Sequence, residues 1–185
     1  INGVEYSYVE IAPENNQDGG APGANIRVGF LYNSKRVTLA PSITGTNGSA
    51  TDAVIYDAEK DMLTHNPGRI DPTNAVLSSS RKPIAAQFEF KGEKVIVIGS
   101  HFNSKSGDLG PFGITQPATR SSEIQRAKIG TLVNGFVKNI LDLNENANIV
   151  VLGDLNDFQF SPAVTALKGN ELDNLVDKLP ANERY

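Results

Sequence analysis

The sequence predicts a layered α/β domain, and three observations carry that expectation. Two strongly apolar runs, Val95-Ile96-Val97-Ile98 and Ile149-Val150-Val151-Leu152, read as strands buried on both faces. Between them lies a long segment with apolar residues at helical spacing: Ile129, Leu132, Val133, Phe136, Val137, Ile140 and Leu141. Strand-like runs outnumber helix-like ones, so sheet covered by helices is the arrangement that buries each apolar face. A chain of 185 residues suffices for one domain, residues 1–185, with a sizeable core.

Taken in order, Val4 to Ile11 alternates apolar and polar residues as a strand does, and a polar loop follows from Pro13 to Gly23. Arg27–Tyr32 and Arg36–Leu39 are β-rich runs separated by Asn33-Ser34-Lys35, which predicts a hairpin. Pro41 to Ser80 is rich in turn-forming residues, with an apolar island at Ala53–Tyr56, and reads as a long surface excursion. Ile84, Ala86, Phe88 and Phe90 then alternate with smaller or polar neighbours, and Gly92 turns the chain into the first buried strand, Lys94–Gly99. After a Gly/Pro-rich loop from Asn103 to Thr119, Ser122 and Gln125 have the spacing of a capping box at the start of the helix, and Asn144 is its terminator. Asn148–Gly153 is the second buried strand. Ser161-Pro162 starts another helix, and Leu172 to Leu179 reads as a further strand.

Composition excludes some classes and leaves others open. No apolar run approaches the roughly 20 residues that a membrane-spanning helix needs. Zero cysteines exclude disulfides, thiolate chemistry and Cys-based zinc sites. The formal net charge of −4 supplies no long-range positive field for nucleic acid. Acidic chains nevertheless bind phosphates when carboxylates hold divalent cations. The chain begins at Ile1 and its one methionine is Met62, so any signal peptide is expected upstream.

Chemistry is expected where the two apolar strands end abruptly in polar residues, at Ser100-His101-Phe102-Asn103 and at Gly153-Asp154-Leu155-Asn156-Asp157. A carboxylate can hold a metal or orient water, while an imidazole and an amide donate to oxygens that gain charge, which suits attack of water on a phosphodiester. The same residues have bland readings. A lone histidine is more often structural than catalytic, and Asp and Asn after a strand commonly stabilise turns. His65, in His65-Asn66-Pro67-Gly68, reads as a solvated turn residue, and Arg81 as a charge at a strand start.

Three blocks occur together: Arg81-x-Pro83, then Ser100-His101-Phe102-Asn103-Ser104-Lys105, then Gly153-Asp154-Leu155-Asn156-Asp157. In this order they resemble the endonuclease/exonuclease/phosphatase superfamily, with its deoxyribonuclease-I-like fold of mixed β-sheets flanked by helices. The stretches Phe112-Gly113-x-x-Gln116-Pro117, Arg120 to Arg126 and Asn182-Glu183-Arg184-Tyr185 are similar to the large secreted extracellular nucleases of bacteria. The resemblance implies a monomeric, extracellular, metal-dependent deoxyribonuclease using Mg2+ or Mn2+, with Ca2+ as a further ion. It also implies a nucleic acid, DNA, as partner and no membrane. By the same resemblance Asp154 orients the attacking water or ligates the metal, Asn156 helps to hold nucleophile and phosphate, and His101 donates to a non-bridging phosphate oxygen. Arg81 and Asn103 are implied to bind substrate phosphate.

Two family blocks have no counterpart in these residues: a glutamate block before the first strands, and an aspartate–histidine base block near the C-terminus. Neither Glu14 nor Asn25 has the context to replace the glutamate, and no histidine follows His101. The expectation is therefore a domain incomplete at both termini, part of a longer polypeptide, with weak or no activity alone. The alternatives are a phosphoesterase of the same superfamily acting on a lipid or inositol phosphate, and a non-catalytic nucleic-acid-binding module.

Overall fold

The computed structural model describes residues 3–21 and 23–184. Pro22, in the first loop, and Tyr185, which closes the last family-like motif, lie outside the described residues. The architecture is mixed α/β. In chain order the strands are β1 (Tyr6–Glu10), β2 (Gly20–Ala21), β3 (Ala24–Asn25), β4 (Gly29–Asn33), β5 (Thr38–Leu39), β6 (Tyr56–Asp57), β7 (Met62–Leu63), β8 (Gly68–Arg69), β9 (Ile84–Phe90), β10 (Glu93–His101) and β11 (Asn148–Asp154). Helix α1 (Ser121–Leu143) lies between β10 and β11, and α2 (Pro162–Lys168) follows β11. The backbone divides into two compact units, Ile1–His101 with Asn139–Gly153, and Phe102–Lys138 with Asp154–Tyr185.

The first unit is built on a sheet in the order β11-β10-β9-β5, with β8 also pairing β9. Strands β9 and β10 form an antiparallel ladder from Glu93 opposite Phe90 to Gly99 opposite Ile84. A second, two-stranded sheet pairs β1 with β4, antiparallel. Ile11, Phe30, Ile84, Ala86 and Phe88 make the core that joins the two sheets. Phe88 receives edge-on packing from Phe30 at 5.8 Å and from Tyr32 at 5.2 Å.

The hairpin expected across Asn33-Ser34-Lys35 is not one. Strand β4 pairs β1, whereas β5 pairs the far end of β9, because the turn at Asn33 carries the chain from one sheet to the other. Residues 41–80 are likewise no surface excursion. Val54, Tyr56, Leu63, Asn66, Arg69, Ile70 and Leu77 are buried. What holds them is polar. Strands β8 and β5 pair opposite ends of β9, at Ile84–Ala85 and Phe88–Glu89, and the backbone between has no strand partner on that edge. Asn66 fills the gap: its amide donates to Ala40 O and Gln87 O, both at 2.7 Å, and accepts from Gln87 N at 2.9 Å. A side-chain amide thus completes the ladder where the buried Gln87 N–H would otherwise be orphaned, while the Gln87 carbonyl also accepts from Ala40 N at 2.9 Å. His65 beside it is half-buried and pairs with the Thr44 hydroxyl at 3.0 Å, so it is not a solvated turn residue.

Deeper in the same unit, Asp18 is buried with two cations. Arg69 donates to one of its oxygens at 2.7 Å, and Lys82 lies 3.3 Å from the other. The remaining donors go to backbone carbonyls: Arg69 to Ala50 and Ile11, Lys82 to Leu77 and Ser80.

Strand β11 departs from its apolar reading. It is the end strand of its sheet, and Val150 and Leu152 are 44% and 50% exposed. An apolar run predicts burial on both faces only where something covers each face.

In the second unit, α1 presents a buried stripe at Ser122, Arg126, Ile129, Val133 and Val137. Its start is not the Ser122–Gln125 capping box. Ser122 already lies inside the helix, and the Asp108 carboxylate reaches it from the preceding loop, accepting from Ser122 N at 2.8 Å and Ser122 Oγ at 2.5 Å. A carboxylate there satisfies an orphan amide and suits the positive end of the helix dipole. Helix α2 crosses α1 closely at Gly130, where a Cβ would collide with the Ala163 carbonyl. Ser161 caps α2 as expected, its hydroxyl accepting from Val164 N. Residues 172–179 form no strand; they contain a short 3-10 helix, Leu175–Lys178, begun by an Asn174 side chain that accepts from Val176 N.

Candidate active site

Local structure at the ends of β10 and β11 is set first by glycine. Gly153 has a φ of +137°, and a Cβ there would strike the Ser100 carbonyl, so the strands approach as closely as only glycine permits. One residue on, Phe102 N donates to the Asp154 carbonyl at 2.9 Å. The chain then bends back on itself. Asp154 Oδ1 accepts from Asn156 N at 2.9 Å, Asn156 takes a left-handed φ of 51°, and Asn156 Nδ2 donates to the Phe102 carbonyl at 2.9 Å. Asn tolerates this conformation better than most residues, which accounts for its place there. The result is a clasp between Phe102 and the Asp154–Asn156 turn, with the Asp154 side of it exposed.

Behind the clasp stands a buried cation. Arg126, on α1, is 2% exposed; its Nε donates to Asp157 Oδ2 at 2.9 Å, and Nη1 donates to the carbonyls of Asn103 and Ser104 and to Ser122 Oγ. One guanidinium thus ties together the loops that follow β10 and β11. Burial raises the Asp157 pKa, but the Arg126 hydrogen bond, the Phe158 N–H and the charges of Arg126 and Lys105 outweigh it, and the carboxyl is held below its ordinary value. Lys105 Nζ lies 3.4 Å from Asp157 Oδ1 and 4.6 Å above the Phe158 ring. Phe158 and Phe160 are stacked, 5.4 Å apart and 4° from parallel.

The residues expected from the sequence fall out as follows. Asp154, Asn156 and Asn103 belong to the second unit; the Asn103 amide donates to Gln125 Oε1 at 2.6 Å, so part of its capacity goes to holding α1. His101 is the last residue of β10, half-buried, and belongs to the first unit. Arg81 belongs there too. It precedes β9, so it lies at the same end of the antiparallel β9–β10 ladder as His101, and it lines a small cavity with Asp18, Arg69 and Lys82. Phe158 and Phe160 are not among the residues expected from the sequence, and Lys105 and Arg126 are named there only within family-like blocks, with no role of their own. The signal for Arg126 is a basic residue in phase with the buried stripe Ile129, Val133, Val137.

As to metal, no group of three His, Cys, Asp or Glu side chains that could hold an ion exists among the described residues. Asp154 offers a single exposed carboxylate at the clasp. That meets the minimum for Mg2+, which keeps several waters and shares its shell with one or two carboxylates and a substrate phosphate. Among the described residues no helix is long and apolar enough to cross a membrane.

Comparison with known proteins defines the fold. No family model matches the chain, and no curated protein matches it. Among solved structures, the human Nocturnin catalytic domain with bound sulfate aligns over 96% of this chain and 53% of its own, at 15% identity and a TM-score of 0.57. Humanized D. rerio TDP2 aligns over 91% of this chain and 45% of its own, at 18% identity and a TM-score of 0.46. Beta toxin from Staphylococcus aureus with bound magnesium aligns over 76% and 49%, at 20% identity and a TM-score of 0.42. The chain spans about half the length of these structures. On the Nocturnin match the fold is the deoxyribonuclease-I-like α/β fold.

Proposed function

We propose that the chain hydrolyses phosphodiester bonds of nucleic acid, as the catalytic part of a secreted DNA endonuclease dependent on Mg2+ or Mn2+. The observation that supports this most is the Asp154–Asn156 clasp: an exposed carboxylate, held by a backbone N–H, beside an amide pinned to the Phe102 carbonyl. Such pinning fixes a reactive group before substrate arrives, which lowers the cost of orienting it in the transition state.

In this reading Asp154 orients the attacking water. Asn156, whose Nδ2 carries a second proton beyond the one given to Phe102 O, donates to that water or to phosphate. His101 donates to a non-bridging oxygen as charge gathers on it, and Arg81 and Asn103 bind phosphate of the same strand. Water oxygen bonds to phosphorus as one P–O ester bond breaks, and the proton that the water gives up is balanced by one that the departing oxygen takes from solvent. Asp154 would hold a divalent ion, which when bound would supply charge to balance the phosphate and lower the pKa of water.

The test is nicking of supercoiled plasmid by the full polypeptide in Mg2+. His101→Ala and Asp154→Ala should each lower the rate by about 10^3-fold or more, on the order of 4 kcal/mol of transition-state stabilisation. Near-parental activity in both variants overturns the role assignments. Calorimetric titration of Mg2+ without DNA should show weak binding that Asp154→Asn removes.

A second reading, the same hydrolysis on a lipid phosphoester, is favoured by one observation: Phe112 and Ile114 stand fully exposed on the loop before α1. A panel of plasmid, RNA, sphingomyelin vesicles and inositol phosphates separates the two.

A further inference from the structure

Next to the clasp, the second unit spends apolar surface in a way that packing does not explain. Phe158 and Phe160 are 52% and 73% exposed, yet their rings lie nearly parallel, 4° apart, rather than collapsing edge-on into a core. The segment carrying them is anchored by hydrogen bonds at both ends. Asp157 is anchored to buried Arg126 and takes the Phe158 N–H on its other oxygen at 3.1 Å. Ser161 N closes a turn on the Phe158 carbonyl at 2.9 Å, and Ser161 then caps α2. Lys105 sits over the Phe158 ring with its own side chain half exposed. The arrangement is a stacked aromatic pair on an anchored segment, with a half-exposed cation over the Phe158 ring that is also paired with Asp157.

We propose that Phe158 and Phe160 form a stacking platform for a nucleobase, with Lys105 meeting the adjoining phosphate, so that the chain prefers strands whose bases are unstacked over intact duplex. Every base has a π-face, and an aromatic ring beside a cation takes a base and its phosphate together without reading sequence. Bases inside a duplex already stack on each other, so the platform engages single strands, frayed ends or extruded bases. A lipid surface fits less well: insertion favours a protruding tip, which Phe112 and Ile114 supply and this braced pair does not. The proposal rests on the nucleic-acid reading of the neighbouring clasp, but not on cleavage.

The experiment measures binding of the full polypeptide in EDTA, where nothing is cut, to three fluorescent probes: a single-stranded oligothymidylate, its duplex, and a single strand in which abasic sugars replace the bases. Phe160→Ala should weaken oligothymidylate binding by about tenfold or more, leave the abasic strand unchanged, and be rescued by Phe160→Trp. Lys105→Ala should lower affinity for all three probes. Equal binding of oligothymidylate and abasic strands by the parent, no binding at all, or no loss in Phe160→Ala each overturns the platform. So does loss of phosphatidylcholine-vesicle binding in Phe160→Ala with oligonucleotide binding intact. Plasmid nicking in Mg2+ is scored separately: base-selective binding without cleavage keeps the platform and removes the nuclease, while cleavage without base selectivity does the reverse.

Discussion

Both units bury charge, and they use it differently. In the first, Asp18 sits between Arg69 and Lys82, and the cations spend their other donors on the carbonyls of Ile11, Ala50, Leu77 and Ser80. Each of those bonds closes a loop, and the cluster ends in the interior. In the second, Arg126 spends its donors in the same way on Asn103, Ser104 and Ser122, but its carboxylate partner, Asp157, turns its second oxygen to Lys105, whose side chain is 51% exposed. The first cluster is a strap; the second is a bracket with one end at the surface, and it anchors the segment that carries Asp154, Asn156, Phe158 and Phe160. A buried cluster whose bonds end inside stabilises a shape, whereas one with an exposed member can also meet a ligand.

The sharpest way to break the comparison is to remove each carboxylate. Asp18→Ala leaves two buried cations without counter-charge, a change that costs about 3–5 kcal/mol. It should appear as a large drop in the urea midpoint. Asp157→Ala should cost less, about 3 kcal/mol, because it strands one buried cation, Arg126, rather than two, and Lys105 returns to water. If Asp157→Ala proves the more damaging, the second cluster is the structural one and the distinction fails.

Acid sharpens the same contrast. The Asp157 carboxyl is held below its ordinary value, so the stabilisation it brings is present above the usual carboxylate pKa of about 3.9 and is lost as pH falls through the lower native value. Asp108 behaves alike: the Ser122 hydroxyl bond lowers its pKa against the opposing effect of burial, and the Ser122 N–H and the nearby arginines add to the lowering. The stability gap between the parent and Asp157→Asn should therefore be constant above about pH 5 and narrow as the pH drops below about 4. A gap that widens in acid would contradict the direction of the shift.

How far these features could be read from the sequence depends on whether apolar period or polar bonding makes them. Strands β9 and β10, helix α1 and the start of α2 follow from alternation, helical spacing and Ser-Pro, and they are where expected. Residues 41–80 are held by Asn66 and by the Asp18 cluster, and polar side chains that replace ladder bonds have no period to detect. β11 misleads because its apolar run says nothing about what lies beside it. At the candidate site, position is legible and role is not: Asp154 and Asn156 end a strand as expected, and they also make the turn-stabilising bonds of the bland reading. Lys105 and the two phenylalanines gain meaning only in three dimensions.

The smallest effect separates fold from platform. Ser161 does two things through two different atoms: its hydroxyl accepts from Val164 N at 3.3 Å to cap α2, and its backbone N–H closes the turn that presents the aromatic pair. Ser161→Ala deletes only the first, so it should lower stability by about 1 kcal/mol, and Ser161→Gly by less. Because the backbone bond survives, Phe158 and Phe160 keep their arrangement, and oligothymidylate affinity should match the parent at temperatures well below unfolding. Were affinity to fall in step with stability, the platform would depend on α2 rather than on the Asp157 anchor and the turn, and the bracket would extend into α2.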